Sequence, residues 1–110
     1  MWWKRAECYT LAMQIKIIVC PELIEEKLET KHSVTCLEAR QVLLNQPWIR
    51  FAEKGRVKGE DVYAAFGQTF GDRYLSVFFV YKPPVKTAII ISARDMSAKE
   101  RKAYDRQQPQ

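Results

Sequence analysis

The sequence predicts an α+β fold, a mostly antiparallel sheet of four to five strands with two N-terminal helices and one C-terminal helix. Three observations carry this. Two segments with helical start signals occupy residues 21–45. From Trp48 the apolar period changes to two and holds to about Ala93, interrupted by Gly71-Asp72 and Pro83-Pro84. A new start signal, Ser97-Ala-Lys-Glu100, then opens the last helix. With 110 residues, 47% of them apolar, the chain suits one domain with one modest core.

Each element has a local reason. Residues 1–12 contain Trp2, Trp3, Cys8, Tyr9 and Leu11 but no sustained period. They are expected to be an extension, with the domain spanning 13–106 and a polar tail at 107–110. The competing expectation is that Trp2 and Trp3 cap the core. A strand is expected over 14–19, with Ile15, Ile17 and Val19 on one face. Pro21 is expected at the first helical position, where its missing N–H costs nothing. Glu22, Glu25 and Glu26 suit the positive end of that helix, and Leu23, Ile24 and Leu28 stripe it to about Lys31. Thr35 to Glu38 has capping-box spacing and opens a second helix with Ala39, Val42 and Leu43 facing inward. Asn45 and Pro47 end it. Strands are expected at 48–51, 62–69, 73–82 and 85–93, with a polar loop at 53–61. Tight turns between them mean antiparallel neighbours.

Composition excludes several function classes. Three widely spaced cysteines, Cys8, Cys20 and Cys36, fit neither a disulfide framework nor a zinc knuckle. They are read as buried small hydrophobes in a reducing compartment. A single histidine, His32, excludes a His-rich metal site, and no metal or cofactor is called for. No apolar run is long enough to span a bilayer, and no signal peptide is read, so the expected location is the cytoplasm. The formal charge of +5 suggests an anionic partner. Phosphate-loop, G-x-S-x-G, C-x-x-C and H-E-x-x-H motifs are absent.

The remaining candidates are basic and aromatic. His32 follows Lys31 at a helix end, where a histidine is commonly a plain terminal residue favoured by the dipole. The functional reading is a cation and a titratable base offered to a phosphate. Arg94 leaves an apolar strand abruptly, which suits fixed bidentate phosphate recognition, or equally a salt bridge to Asp95 or Glu100. Glu100, Arg101 and Tyr104 share one helical face, which is either chemical or simply solvated. Arg73 and Tyr74 start a strand. Tyr63, Phe66 and Tyr74 suit either base stacking or the sheet itself.

Several blocks resemble the BrnT family of ribonuclease toxins from type II toxin–antitoxin modules. They are Lys27 to His32, Glu38-Ala39, Gly59 to Tyr63, Gly71 to Leu75, Ile90 to Met96 and Lys99 to Tyr104. The resemblance covers about residues 14–106. Where the family usually has glycine after the histidine, this chain has Ser33. The resemblance implies a RelE-like fold and a toxin that cleaves RNA, neutralised by a BrnA-like antitoxin with a DNA-binding part, the two forming an oligomer. It directs attention to Arg94 and Arg101 as holders of the scissile phosphate, with Lys31 and His32 facing the same cleft. His32 is then an acid or base, Glu100 a base or an orienter of arginine, Arg73 a substrate contact, and Tyr104 a stacking or hydrogen-bonding residue. Such chemistry, 2′-OH attack on the adjacent phosphate, needs no metal. The alternatives are a module that binds RNA or antitoxin without cleaving, and an inactive toxin relic. Trp48, Phe51 or an exposed sheet edge are the candidate antitoxin contacts.

Overall fold

The computed structural model describes residues 13–108. The expectations about 1–12, including Trp2, Trp3 and Cys8, lie outside the described residues. The elements are β1 (Ile17–Val19), α1 (Glu22–His32), α2 (Cys36–Leu44), β2 (Trp48–Glu53), β3 (Val62–Gln68), β4 (Tyr74–Lys82), β5 (Thr87–Asp95) and α3 (Ala98–Gln107). The strands form one sheet in the order β1-β5-β4-β3-β2. From β2 to β5 neighbours are antiparallel, as short connections require, whereas β1 runs parallel to β5.

The helix ends follow their local chemistry. Thr35 caps α2 and Ser97 caps α3, each in a reciprocal box with a glutamate, Glu38 and Glu100. Pro21 stands one place earlier than expected, as the N-cap of α1. That helix stops at Ser33, whose φ of 52° and ψ of 40° are left-handed. A residue with a Cβ pays about 1 kcal/mol there. Glycine, which the resemblance places at this position, would not.

The pleat divides the sheet into two faces. One packs under α1, over β5, and α2, over β3 and β4. Leu75, Val77, Phe79, Ala88, Ile90 and Ala93 supply its sheet side, and Leu28, Val34, Ala39, Val42 and Leu43 the helix side. Gly67 lets α2 approach closely, because a Cβ there would sit 3.2 Å from Val42 Cγ1. The other face holds a smaller cluster of Ala64, Phe66 and Tyr104, flanked by Trp48, Tyr74, Phe78 and Met96. Register shifts between Phe78 and Phe79, so Ile91 is the extra residue of a β5 bulge.

Two expectations are corrected. The first strand is three residues long rather than six, and Ile17 and Val19 are exposed while Ile15 and Ile18 pack on the core. Ile18 pairs with the buried Ala88, which turns its two neighbours to the other face. Cys20 and Cys36 are disulfide-bonded rather than separate thiols. The fold sets the end of β1 against the start of α2, bringing Cα atoms 16 residues apart in sequence to 6.2 Å. Sequence spacing measures chain length and says nothing of that approach.

Candidate functional site

Charged side chains gather at the end of the sheet where β4 begins and β5 finishes. Register places Arg94 opposite Ser76 on the α3 face. The first turn of α3 lies above them because its cap fixes Ser97 right after the strand. Arg94 Nη1 and Nη2 donate to Glu100 Oε1 and Oε2, both at 2.7 Å. The guanidinium also lies 5.3 Å from the Phe78 ring centroid. Glu100 accepts further bonds from Ser76 Oγ at 2.9 Å and the Ser97 N–H at 3.0 Å. The Arg94 bonds, opposed by burial and aided by the Ser97 and Ser76 bonds, hold the Glu100 carboxyl at about 2. A carboxylate so committed is a weak proton acceptor, and its geometry suits orienting a guanidinium. The same bonds push Arg94 up, against burial.

On the opposite face Arg73 forms a second network. Its Nε donates to Asp95 Oδ1 at 2.9 Å, and Nη1 donates to the Ser33 carbonyl at 2.8 Å and to Glu38 at 3.2 Å. Nη2 reaches Asp95 Oδ2 at 3.3 Å and the His32 carbonyl at 3.4 Å. The bond to Asp95 raises the Arg73 pKa most, outweighing burial, with Glu38 adding to it. Burial pulls Glu38 up, but bonds from the Thr35 backbone and Arg73 leave it lowered. One arginine therefore ties the α1–α2 link, the start of α2 and the end of β5 together.

The other candidates fall around these networks. The Lys31 and His32 side chains are exposed at the end of α1, and among the described residues they make no hydrogen bond or ion pair. His32 meets Arg73 through its backbone only. Arg101 stacks 3.3 Å from the Tyr74 ring centroid, with Nε 3.5 Å from Asp105. Tyr104 turns inward, packs edge-to-face on Tyr74 and is 4% exposed. Burial raises its pKa. Arg94 and Arg101 thus share a face but lie over separate rings, four residues apart on β4, about 13 Å along the strand. Arg94 and Glu100 are brought together directly. Arg101 and Tyr104 meet through Tyr74, and Lys31 and His32 stand at the same sheet end beyond Arg73.

Sequence reasoning missed Ser76 and the pairing of Glu38 with Arg73. Ser76 carried a signal, a lone hydroxyl within the apolar run Leu75 to Val80 that is fully buried. The Glu38–Arg73 pair spans 35 residues and had none. Among the described residues no three His, Cys, Asp or Glu side chains converge to hold a metal.

A family model described as ribonuclease toxin BrnT of type II toxin–antitoxin systems matches residues 25–100. No curated protein matches the chain. The matched stretch runs from within α1 to Glu100, and so includes Lys31, His32, both arginine networks and their carboxylates. The chain belongs to the BrnT family of ribonuclease toxins of type II toxin–antitoxin systems.

Proposed function

We propose that the protein is a metal-independent endoribonuclease working at the β4–β5 end of the sheet, and that Arg94 is its phosphate-binding residue. The observation that carries this is the Arg94–Glu100 fork, a guanidinium held rigidly by both carboxylate oxygens and by the Phe78 ring. A guanidinium fixed before substrate arrives stabilises the extra charge of a pentacoordinate phosphorane without reorganising. The 2′-OH attacks the adjacent phosphorus and loses its proton to a base. The P–O5′ bond breaks, and the departing oxygen takes a proton, leaving a 2′,3′-cyclic phosphate and a 5′-hydroxyl. His32, exposed at the end of α1, takes the acid or base role, with Lys31 beside it as a second cation. Glu100 positions Arg94. Arg73 positions the His32–Ser33 backbone in place of contacting substrate, because its donors already serve Asp95, Glu38 and that backbone. Arg101 on Tyr74 presents a cation for a neighbouring phosphate rather than the scissile one, and Tyr104 supports Tyr74 from beneath.

The location we propose is the cytoplasm, where RNA is abundant. This rests on the substrate, since the Cys20–Cys36 bond removes the argument from unpaired thiols. Among the described residues no helix is long and apolar enough to cross a membrane. Neutralisation is by a BrnA-like antitoxin encoded beside the toxin.

A second reading is an RNA- or antitoxin-binding module that does not cleave, supported by the His32 side chain touching neither arginine network among the described residues. Incubating purified protein with total RNA in EDTA separates the two. Degradation that falls about 100-fold in Arg94→Ala supports the nuclease. Intact RNA with a mobility shift supports the binder.

A further inference from the structure

Of the two helices on the main core, α1 is the more thinly packed, and it carries Lys31 and His32. Along its eleven residues Leu28 alone is buried, whereas α2 buries Cys36, Ala39, Val42 and Leu43. Leu23 of α1 is 80% exposed. A helix with so little area removed from water depends on its ends. At the far end Arg73 donates to the His32 and Ser33 carbonyls, and Val34 behind them is fully buried. At the near end Pro21 caps the helix without a side-chain bond, and Cys20 before it is disulfide-bonded to Cys36. That bond closes a loop containing the whole of α1.

The two sulfurs stand in different surroundings. Cys20 is half-buried between β1 and α1, whereas Cys36 is buried. Cys36 is also the first residue of α2, where unpaired backbone N–H groups and the helix dipole favour negative charge. Glu38, the acid of that turn, is already bonded to Arg73. An incoming thiolate therefore reaches Cys20 Sγ more readily, and Cys36 Sγ is the better-stabilised leaving thiolate. The Cys36 side is continuous with the candidate site. Thr35 and Glu38 cap α2 together, Glu38 accepts from Arg73, and Arg73 holds the His32–Ser33 backbone. In a cytoplasmic protein a disulfide is as a rule transient, serving catalysis or redox sensing.

We propose that Cys20–Cys36 is a thiol–disulfide exchange site for a dithiol reductant, and that the bond keeps α1, with Lys31 and His32, in place for RNA cleavage. The proposal rests on the nuclease reading and the location given above and adds a means of regulation. One thiolate of the reductant attacks Cys20 Sγ and forms a mixed disulfide, while the S–S electron pair leaves on Cys36 Sγ, which takes a proton. The second thiolate of the reductant then attacks its own sulfur in the mixed disulfide, and Cys20 departs and is protonated. The reductant becomes a disulfide, and the protein gains two electrons and two protons. Once reduced, α1 keeps Leu28 and the Arg73 bonds but loses its near tether, so Lys31 and His32 spend less time in register with Arg94.

The test uses the full-length protein with Cys8→Ser, which leaves Cys20 and Cys36 as its only cysteines. Samples treated with oxidised glutathione and with dithiothreitol are compared, and alkylation with mass spectrometry counts their free thiols. Reduction is expected to speed amide exchange across Glu22–His32 at least about 10-fold while β3 and β4 keep their protection. RNA cleavage in EDTA is expected to fall at least about 10-fold and to return on reoxidation. Cys20→Ala/Cys36→Ala is expected to match the reduced form and to ignore dithiothreitol; should circular dichroism show it unfolded, Cys20→Ser takes its place. Equal or faster cleavage in the reduced form overturns the proposal and leaves the nuclease reading intact, and so do thiols that oxidised glutathione fails to join. Loss of protection in β3 and β4 on reduction overturns it in favour of a plain structural staple. Cleavage in neither form overturns the nuclease reading, and the proposal with it.

Discussion

The two faces of the sheet share the same strands and differ in what fills them. Among the described residues, thirteen buried apolar residues form one contiguous cluster between the sheet and α1 and α2. Between the sheet and α3 there are three, and the space beside them is taken by Ser76, Glu100 and Arg94. The first arrangement gains stability from area removed from water, at about 25 cal/mol per Å². The second gives up that gain to hold charges in fixed positions. Alternation along β4 produces both: Leu75, Val77 and Phe79 point one way, Tyr74, Ser76 and Phe78 the other. A nine-residue strand thus anchors the fold with its odd positions and builds the candidate site with its even ones.

The contrast is broken most strongly on the apolar face. Phe79 is fully buried, and Phe79→Ala should lower stability by about 3–5 kcal/mol in urea unfolding. On the other face the effect should move to chemistry. Arg94→Lys keeps the charge but loses the fork, so kcat/KM on RNA should fall about 100-fold, while the urea midpoint moves less than for Phe79→Ala.

Acid provides a gentler probe of the same network. Glu100 ionises at about 2 in the folded protein against an ordinary 4.5, so the unfolded chain binds its proton first as pH drops. Its stabilising contribution is complete above about pH 4.5 and drains away down to about pH 2. Glu100→Gln should flatten that part of the stability–pH curve. The smallest change expected is a gain. Ser33→Gly relieves the left-handed strain at the end of α1 and should stabilise by up to about 1 kcal/mol, read as a higher thermal midpoint.

Much of this was legible in the residues because its causes are local. The Thr35–Glu38 and Ser97–Glu100 boxes announced two helix starts to the residue, and the change of period at Trp48 announced the sheet. Arg94 stands out for leaving an apolar strand, and Glu100 lies close enough in sequence to be one of its two local salt-bridge partners. What stayed hidden was non-local. Alternation puts Ile17 and Val19 on one face but does not tell whether anything covers it, and both are exposed. The partners of Arg73 were out of reach of sequence reasoning because they come from 22 to 41 residues away. Helical spacing places Tyr104 beside Arg101 without saying which side meets the sheet, so its inward turn onto Tyr74 was not legible.

The sequence by itself determined the element order, the helix caps and the residues able to carry charge, since each depends on neighbours within a few positions along the chain. Only the tertiary structure decided which guanidinium faces which carboxylate, that Cys20 meets Cys36, and that Ile17 and Val19 turn away from the main core while Ile18 joins it. Those outcomes depend on loop closure and strand order, which bring distant residues within bonding range irrespective of their spacing in the chain.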